Sequence, residues 1–393
     1  MAVLIQLHTL KTWGTVCLNR DDSGDVKDIT VGGVRRVRIS SQAVKHVMRD
    51  QFAGTSVRTR YIVDKWMSRL KAEPVQFSDD DLNAAESLFV QISGAQMKNG
   101  KQEVKQLTAY STSEVDFIYK KVYDALISDS EEFKKTVAKK SDKEKLAQDI
   151  VEQARGVSMD KEIAVFGRMT TGGVGQTVPS SVHKNHEYSI DKNLGEYDYF
   201  SAFDNFINQS AHLNPSSIAS MTTYGYINID PVQIYRNLTA HLSSTANQMS
   251  EEEKDAYRTW AKETTVDCVG KLVESVFTAI PGGKQNSNAS YPTPSMVYMT
   301  CGMDIYPCTM DSVYHKIITP NKKESVVEQG INRAIEWINS DEYEQEYDVK
   351  LLGIDSQCHV NKCDHANCTN TKMNQFIEAA KEFTRKAMES IEE

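Results

Sequence analysis

The stretch of sequence with the clearest chemistry lies between residues 34 and 49, where basic side chains collect and no acid occurs. Its basic residues are Arg35, Arg36, Arg38, Lys45 and Arg49, with His46 beside them. Guanidinium and ammonium groups clustered in this way hold the phosphates of a nucleic-acid backbone, with an affinity that falls as salt rises. The alternative is a solvated basic surface without a ligand, and the spacing alone leaves both interpretations open.

The local pattern predicts the elements that carry these side chains. Residues 34–39 alternate with the period of a strand, and Ser40-Ser41 then opens a helix with a serine as its N-cap. Gln42, Lys45 and Arg49 fall on one stripe of that helix, beside its apolar stripe. Free backbone N–H groups at the helix start, together with the positive end of the helix dipole, would complete a track for phosphates.

The chain as a whole is acidic, with a net charge of −9 over 393 residues, of which 40% are hydrophobic. This balance argues against a protein that coats nucleic acid with its entire surface. A local basic site remains compatible with it, because salt screens distant charges beyond ~8 Å. Acidic residues collect at 251–253 and at 341–348, away from the basic stretch. Segregated charge favours one nucleic-acid face, with other faces for neighbouring proteins or solvent.

The N-terminal residues 1–8 have no basic start and no long apolar run. They predict a first strand rather than a signal peptide. No window of the sequence approaches the ~18 consecutive apolar residues of a membrane span. We therefore expect a cytoplasmic protein without a membrane partner, whose cysteines stay reduced.

Three further motifs have weaker chemical meaning. Residues 358–368 hold three cysteines and two histidines, but four residues separate successive cysteines, so a loop without metal is favoured over a zinc site. The glycine-rich segments 172–177 and 282–285 lack the Lys-Ser/Thr pair of a nucleotide-binding loop, and we expect no cofactor. His183 and His186-Glu187 match no zinc-protease order and predict a surface loop.

Strand-like segments alternate with helical ones without a regular repeat, which predicts an α+β fold. Besides residues 34–39, the predicted strands are 3–10, 163–166, 224–229 and 296–301. The predicted helical segments are 56–155, 255–280, 325–339 and 372–392. The order of elements fits a β-α-β-β-α-β unit with insertions.

Five blocks of the sequence occur in the order of one known family. Residues 18–22 (LNRDD) and 32–42 (GGVRRVRISSQ) form the longest and most specific block. The shorter blocks are 164–171 (AVFGRMTT), 209–213 (QSAHL), 224–229 (YGYINI) and 281–285 (PGGKQ). Together they resemble the backbone subunit of the type I-E CRISPR Cascade surveillance complex. The similarity covers about residues 1–300 and is weak in the helical insertion and at the C-terminus.

The resemblance implies a hand-shaped architecture with an RRM-like (ferredoxin-like) palm, helical fingers and a β-hairpin thumb. The palm would comprise residues 1–55, 156–195 and 224–335. The fingers would be residues 56–155 and the thumb residues 196–223, and residues 336–393 would form a C-terminal extension.

The resemblance also implies which residues contact RNA. Five side chains would hold guide phosphates: Arg20, Ser41, Gln42, Lys45 and Arg49. Arg168 and Met169 would lie beside the RNA, with Met169 packed on a base, although a core methionine is the alternative. Ile218 takes the place of a bulky thumb residue that displaces bases. Lys284 and Gln285 would reach the strand from the late glycine-rich loop.

The function implied is that of a non-catalytic subunit, not an enzyme, whose copies stack head to tail along the crRNA and present it for pairing with target DNA. Its partners would be crRNA, target single-stranded DNA, other copies of itself and other Cascade subunits. The alternative is a metal-dependent RNase of related fold that cleaves target RNA with Asp22. Arg20 within the same cluster, and the resemblance to a class that does not cleave, count against this alternative.

Overall fold

The computed structural model describes residues 2–52, 56–170, 173–244, 248–340, 345–370 and 372–391, with backbone alone over 209–214. Thr171 of the block at 164–171 and Gly172 of the glycine-rich segment 172–177 lie outside the described residues, as do residues 341–344 of the acidic segment 341–348. The side chains of the block at 209–213 lie outside them too. Within the described ranges, no helix is long and apolar enough to cross a membrane.

The secondary structure is as follows. The strands are β1 (Val3–Val16), β2 (Asp28–Val31), β3 (Val34–Ile39), β4 (Ser56–Thr59), β5 (Gln96–Lys98), β6 (Lys101–Glu103), β7 (Thr108–Ser111), β8 (Val182–Lys184), β9 (Glu187–Ser189), β10 (Glu196–Asp204), β11 (Gln209–Ile229), β12 (Pro294–Met303), β13 (Val349–Ile354) and β14 (Asn367–Asn370). The helices are α1 (Ser41–Asp50), α2 (Ile62–Lys71), α3 (Asp79–Ser93), α4 (Thr112–Ser128), α5 (Ser130–Ala138), α6 (Lys140–Ala154), α7 (Lys161–Phe166), α8 (Pro231–Thr239), α9 (Glu251–Thr278), α10 (Gln285–Asn288), α11 (Asp311–Tyr314), α12 (Val326–Ser340) and α13 (Met373–Glu389). A 3-10 turn covers Ala240–Ser243.

The chain divides into two compact units. The first unit comprises Met1–Gln51, Val182–Pro231 and Val266–Glu393, and the second comprises Phe52–Ser181 and Val232–Thr265. A ten-stranded sheet runs through the first unit in the order β14-β13-β12-β1-β11-β9-β3-β2, with β8 and β10 also paired to β11. This sheet with its helices confirms the predicted α+β class.

Strand β1 lies at the centre of the sheet, and its residues 3–11 are buried on both faces. It pairs antiparallel with β11 on one edge and with β12 on the other. On one face Leu10 belongs to a buried cluster with Met296 and with Ile335 of α12. On the other face Leu7 lies with Met48 of α1 around a small shared cavity. Each fully buried apolar side chain of this kind stabilises the fold by about 1.5–3 kcal/mol.

Helix α1 begins where the sequence predicts. The Ser40 side chain accepts the backbone N–H of Ala43 at 3.2 Å, the arrangement of an N-cap serine. The backbone N–H of Ser40 donates to Oδ1 of Asn19 at 2.9 Å, which ties the helix start to the loop after β1. Val44 and Met48 are buried against the sheet, as the apolar stripe requires. The opposite stripe of the helix is thereby turned away from the core.

The second unit has a helical core, as predicted for residues 56–155. Helices α2 to α6 bury one apolar cluster, in which the Trp66 and Phe89 rings stack with their centroids 5.0 Å apart. Two short antiparallel pairs, β4–β7 and β5–β6, also belong to this unit, as do α7, most of α8 and the first part of α9. Serine capping boxes begin α3 at Ser78 and α4 at Ser111. These caps explain why the polar, charged sequence of this region breaks into separate helices.

The strand predicted at residues 163–166 is wrong, because these residues lie in α7 (Lys161–Phe166). Asp160 takes the N-cap position, and Gly167 with φ of +73° ends the helix. A substituent at the Cβ position of Gly167 would come within 2.7 Å of the Val178 carbonyl oxygen, so glycine is required there. A four-residue apolar run does not by itself distinguish a strand from a buried helix.

The segment after β9 forms a β-hairpin of β10 and the first part of β11. Glu196 pairs with Ile218, and Asp204 pairs with Gln209 at the closed end. Several large apolar side chains of the hairpin are exposed, among them Tyr199 at 65% and Phe206 at 97%. The second part of β11 continues into the main sheet and pairs with β1.

The basic stretch contains one arginine that builds the fold rather than facing a ligand. Arg36 is fully buried, and its guanidinium donates to the carbonyl oxygens of Ser189 at 3.2 Å, Tyr314 at 2.8 Å and His315 at 2.6 Å. Arg35 next to it is exposed and forms an ion pair with Asp28. The interpretation of Arg36 as part of the phosphate track is therefore corrected, since both Nη atoms donate to carbonyl oxygens inside the protein and the whole side chain is buried.

Replacing Arg36 by methionine is expected to lower the free energy of unfolding by about 3 kcal/mol, because three buried carbonyl oxygens lose their donor. Arg35→Met is the matched control and is expected to change it by less than about 1 kcal/mol, since an exposed ion pair contributes little. Urea unfolding followed by circular dichroism measures both variants. Equal midpoints for the two variants would contradict the structural role of Arg36.

Candidate nucleic-acid interface

The N-terminus of α1 is more fully hydrogen-bonded than the sequence suggests. The backbone N–H of Ser41 donates to Nδ1 of His186 at 3.2 Å, and that of Ala43 donates to the Ser40 hydroxyl. The expectation of free amides at the helix start is therefore wrong for these two groups. Because Nδ1 of His186 accepts, the neutral imidazole carries its proton on Nε2.

The predicted stripe on α1 is present and partly anchored. Gln42 is exposed, whereas Lys45 and Arg49 are half-buried. The Lys45 ammonium donates to the carbonyl oxygen of Val182 at 2.7 Å. Burial, with the nearby charges of Arg49 and Lys184, lowers the pKa of Lys45. An ammonium has three donors, so one N–H group of Lys45 fixes the side chain and the other two can bind a further acceptor.

A buried set of charges lies in the first unit on the α1 side of the sheet. Lys184 Nζ and Glu187 Oε1 are 3.0 Å apart, and both side chains are only 7% exposed. Lys11 is also buried and interacts with Glu187. Burial alone would raise the pKa of Glu187, but Lys184 and Lys11 outweigh burial and lower it. Two cations thus share one carboxylate, beside a cavity of about 20 Å³ that fits about one water molecule.

Three side chains that the resemblance did not single out as RNA contacts also lie near the start of α1. They are His186, Arg38 and Lys27. Burial, followed by the charges of Arg38, Lys184 and Lys27, lowers the pKa of the exposed His186. Backbone hydrogen bonds from Lys27 to Asn19 and from Arg38 to Lys27 hold the two basic residues together. Arg38 could be found from the sequence, because it belongs to the basic stretch at residues 34–49. The sequence singled out His186 only as part of a predicted surface loop, because its contact with α1 depends on the pairing of β3 with β9.

A second group of predicted residues gathers near the end of β1. Arg20 is exposed in the loop between β1 and β2. Lys284 has φ of +51°, and its ammonium contacts the Ser216 hydroxyl. Burial raises the pKa of the Cys17 thiol, and the charges of Lys284 and Arg20 oppose this rise. Both cations therefore lie in one neighbourhood of the first unit.

The other two predicted residues of the first unit have different surroundings. Ile218 is half-buried in β11 opposite Glu196. Gln285 is buried, and its amide exchanges two hydrogen bonds with the backbone of Ser290, each 2.9 Å long. The side chain that was expected to reach RNA is thus used to hold its own loop, which carries Lys284.

In the second unit, Arg168 is buried and Met169 is exposed. The Arg168 guanidinium makes a two-point ion pair with Glu114 at 2.6 and 3.0 Å and donates to the Gln176 carbonyl oxygen at 2.9 Å. Its side chain is only 1% exposed, so Arg168 fixes the loop and is not open to solvent. Met169 is 71% exposed, which excludes the alternative of a core methionine.

The aspartates and cysteines singled out in the sequence were considered as possible metal ligands. In the described ranges, no three His, Cys, Asp or Glu side chains group so that they could hold a metal ion. Oδ1 of Asp21 accepts the backbone N–H groups of Ser23 and Asp25, which shapes the loop, and Asp22 is exposed. Cys363 is buried, with its thiol 3.6 Å from Oδ1 of Asn339.

Comparison with known proteins identifies the family. The model of a family described as CT1975-like protein matches residues 5–381. The chain belongs to the CT1975-like family. No curated protein matches it.

Two solved structures share the fold of this CT1975-like chain. A chain of a "CRISPR RNA-guided surveillance complex, pre-nicking" aligns with a TM-score of 0.74 and 19% identity, over 96% of this chain and 100% of that one. A chain of a "CRISPR RNA-guided surveillance complex" aligns with a TM-score of 0.70 and 17% identity, over 96% and 99%. The resemblance to a Cascade-type subunit inferred from the five blocks is confirmed. The CT1975-like match also covers the helical insertion and most of the C-terminal region, where those blocks are weak or absent.

The buried ion pair of this CT1975-like chain is testable with a double-mutant cycle. Arg168→Met and Glu114→Gln are each expected to lower the free energy of unfolding by about 3–5 kcal/mol, because each leaves an uncompensated buried charge or donor. Glutamine keeps an oxygen for the Ser111 backbone N–H that Glu114 accepts. The double variant is expected to lose clearly less than the sum of the two single losses. Strictly additive losses in urea unfolding would rule out the coupling.

Proposed function

We propose that this protein is a non-catalytic, crRNA-binding backbone subunit of a Cascade-like antiviral complex. Its copies assemble head to tail along the guide RNA and present it for pairing with target DNA. Family membership and the fold support this proposal. The observation that carries it is the set of cations around the start of α1. The charges of Arg38, Lys184 and Lys27 act on His186, which accepts the Ser41 N–H, and Lys45 lies one helical turn beyond Ser41.

The proposed architecture is a hand. The large sheet with α1 and α12 would serve as the palm, in residues 1–55, 156–195 and 224–335. The helices of residues 56–155 would be the fingers, and the hairpin of β10 and β11 within 196–223 the thumb. Residues 336–393 would extend the palm, since β13 pairs with β12.

Each predicted contact has a proposed role. Phosphates of the guide would be held by Arg20, Ser41, Gln42, Lys45, Arg49 and Lys284. Met169, which is exposed, would pack on a base, while Arg168 would position the loop that carries it. Ile218 would help to displace a base at the thumb. Gln285 would fix the loop of Lys284 through Ser290.

The proposed activity needs only shape and charge. When base pairing reads the sequence, the protein has to hold the sugar–phosphate chain and leave the bases free. Cations on the backbone supply an affinity that is independent of sequence. Head-to-tail assembly requires two different complementary faces on each copy. The acidic residues Glu251–Glu253 begin α9, apart in sequence from the basic stretch, which suits such an arrangement. The other Cascade subunits and target single-stranded DNA would be further partners, in the cytoplasm.

The central experiment is co-expression of the full chain with a CRISPR repeat transcript and its sister subunits. The expected product is a large particle that contains RNA and several copies of this chain. Size-exclusion chromatography with light scattering gives the mass, and absorbance at two wavelengths gives the RNA content. A monomer free of RNA would contradict the proposed function.

The phosphate contacts of α1 make a quantitative prediction. Lys45→Gln with Arg49→Gln is expected to weaken binding to every single-stranded RNA sequence alike. Each lost phosphate contact should flatten the slope of log Kobs against log salt by about 0.7. Fluorescence anisotropy over a salt series measures the slope for several unrelated sequences.

The matched control removes two cations elsewhere in the first unit. Lys322→Gln with Lys323→Gln changes the net charge equally at exposed positions in the segment before α12. It is expected to keep the wild-type slope. A loss confined to particular RNA sequences, or an equal loss in the control, would argue against α1 as a phosphate-binding element.

A further inference from the structure

His186 occupies an unusual position at the start of α1. It lies in the turn between β8 and β9 and is exposed. Its Nδ1 accepts the backbone N–H of Ser41 at 3.2 Å. An imidazole accepts a hydrogen bond only when it is neutral. The first amide of the helix is thus occupied only while His186 carries no charge.

The surroundings of His186 keep it neutral in the free protein. Burial, with the charges of Arg38 on β3, Lys184 on β8 and Lys27 before β2, lowers its pKa below the ordinary value for histidine. The nearest acid in sequence, Glu187, is buried and paired with Lys184. The balance of charge around the ring is therefore positive and would change if an anion arrived.

We propose that His186 is a further phosphate-binding residue of this surface, which takes up one proton from solvent when a guide phosphate binds beside Ser41. This inference rests on the RNA-binding function proposed above. Both nitrogens of the protonated ring carry hydrogen, so the ring can no longer accept a hydrogen bond and donates one to the phosphate. The Ser41 N–H is thereby released and becomes a second donor to the same anion. Lys45, one helical turn beyond Ser41, would complete the set of donors.

The physical basis is proton linkage. Charge-assisted hydrogen bonds to a phosphate are roughly twice as strong as neutral ones, so the bound anion favours the protonated ring and raises its pKa. Phosphodiesters stay ionised throughout the range in which histidine titrates. RNA affinity therefore rises as pH falls from the pKa of the complex to that of the free protein, and it is level outside this window. One linked proton limits the gain to about tenfold per pH unit.

The test compares the full-length protein with His186→Asn, whose side-chain oxygen can still accept the Ser41 amide but does not titrate. Binding of an oligouridylate strand is measured between about pH 5 and 8 at constant ionic strength. The wild-type protein is expected to gain more affinity on acidification than His186→Asn. The control His183→Asn, at an exposed histidine on β8, is expected to follow the wild type. Parallel pH profiles for wild type and His186→Asn overturn the proposal.

A second measurement does not depend on RNA. In the free protein, histidine NMR should show that Ser41→Pro raises the pKa of His186, because proline has no N–H to donate to the neutral ring. Proline is tolerated at this first helical position, and the extended ψ of 145° at Ser40 suits a following proline. An unchanged pKa overturns the coupling. If no variant binds RNA at any pH, the proposed function fails, whereas RNA binding with parallel profiles rejects the role of His186 alone.

Discussion

The structure of the first unit depends on the enclosure of the first nine residues of β1. Residues 5–11 of this strand pair with β11 on one edge and β12 on the other, and residues 3–11 are buried on both faces. One face meets the apolar and aromatic cluster under α12, and the other meets α1. The second face is not wholly apolar, since it includes Lys11 near Glu187 and Lys184. Buried charges of this kind are tolerated only when paired, so Glu187 has to lie near both lysines.

Several cations of the candidate surface are held by the protein before any ligand arrives. Lys45 is bound to the Val182 carbonyl oxygen, Lys284 contacts the Ser216 hydroxyl, and Lys184 is paired with Glu187. Long basic side chains normally lose considerable rotational entropy when a ligand immobilises them. Anchoring them in advance reduces that cost, which would suit the proposed binding of a uniform sugar–phosphate backbone rather than the recognition of one base. Arg36 and Arg168 are the extreme case, since both guanidinium groups are buried and bind protein oxygens.

Much of this arrangement could be predicted from the sequence, and the failures share one cause. Alternation and capping predicted β3 and α1 well, because both are set by neighbouring residues. Arg36 was misjudged because its burial depends on Tyr314 and His315, almost 280 positions away. The same applies to His186, which meets Ser41 only through the pairing of β3 with β9. The helix at Lys161–Phe166 was missed because four apolar residues contain no period, and only Gly167 marked its end.

Strand β11 has a mechanical consequence for the hairpin. It is 21 residues long and runs without interruption from the closed end of the hairpin to the middle of the main sheet. At about 3.3 Å per residue, this single strand spans roughly 70 Å. The hairpin is therefore not attached by a flexible joint. A force on the closed end of the hairpin is transmitted along β11 to its hydrogen bonds with β1. The closed end can therefore move only as far as β11 bends.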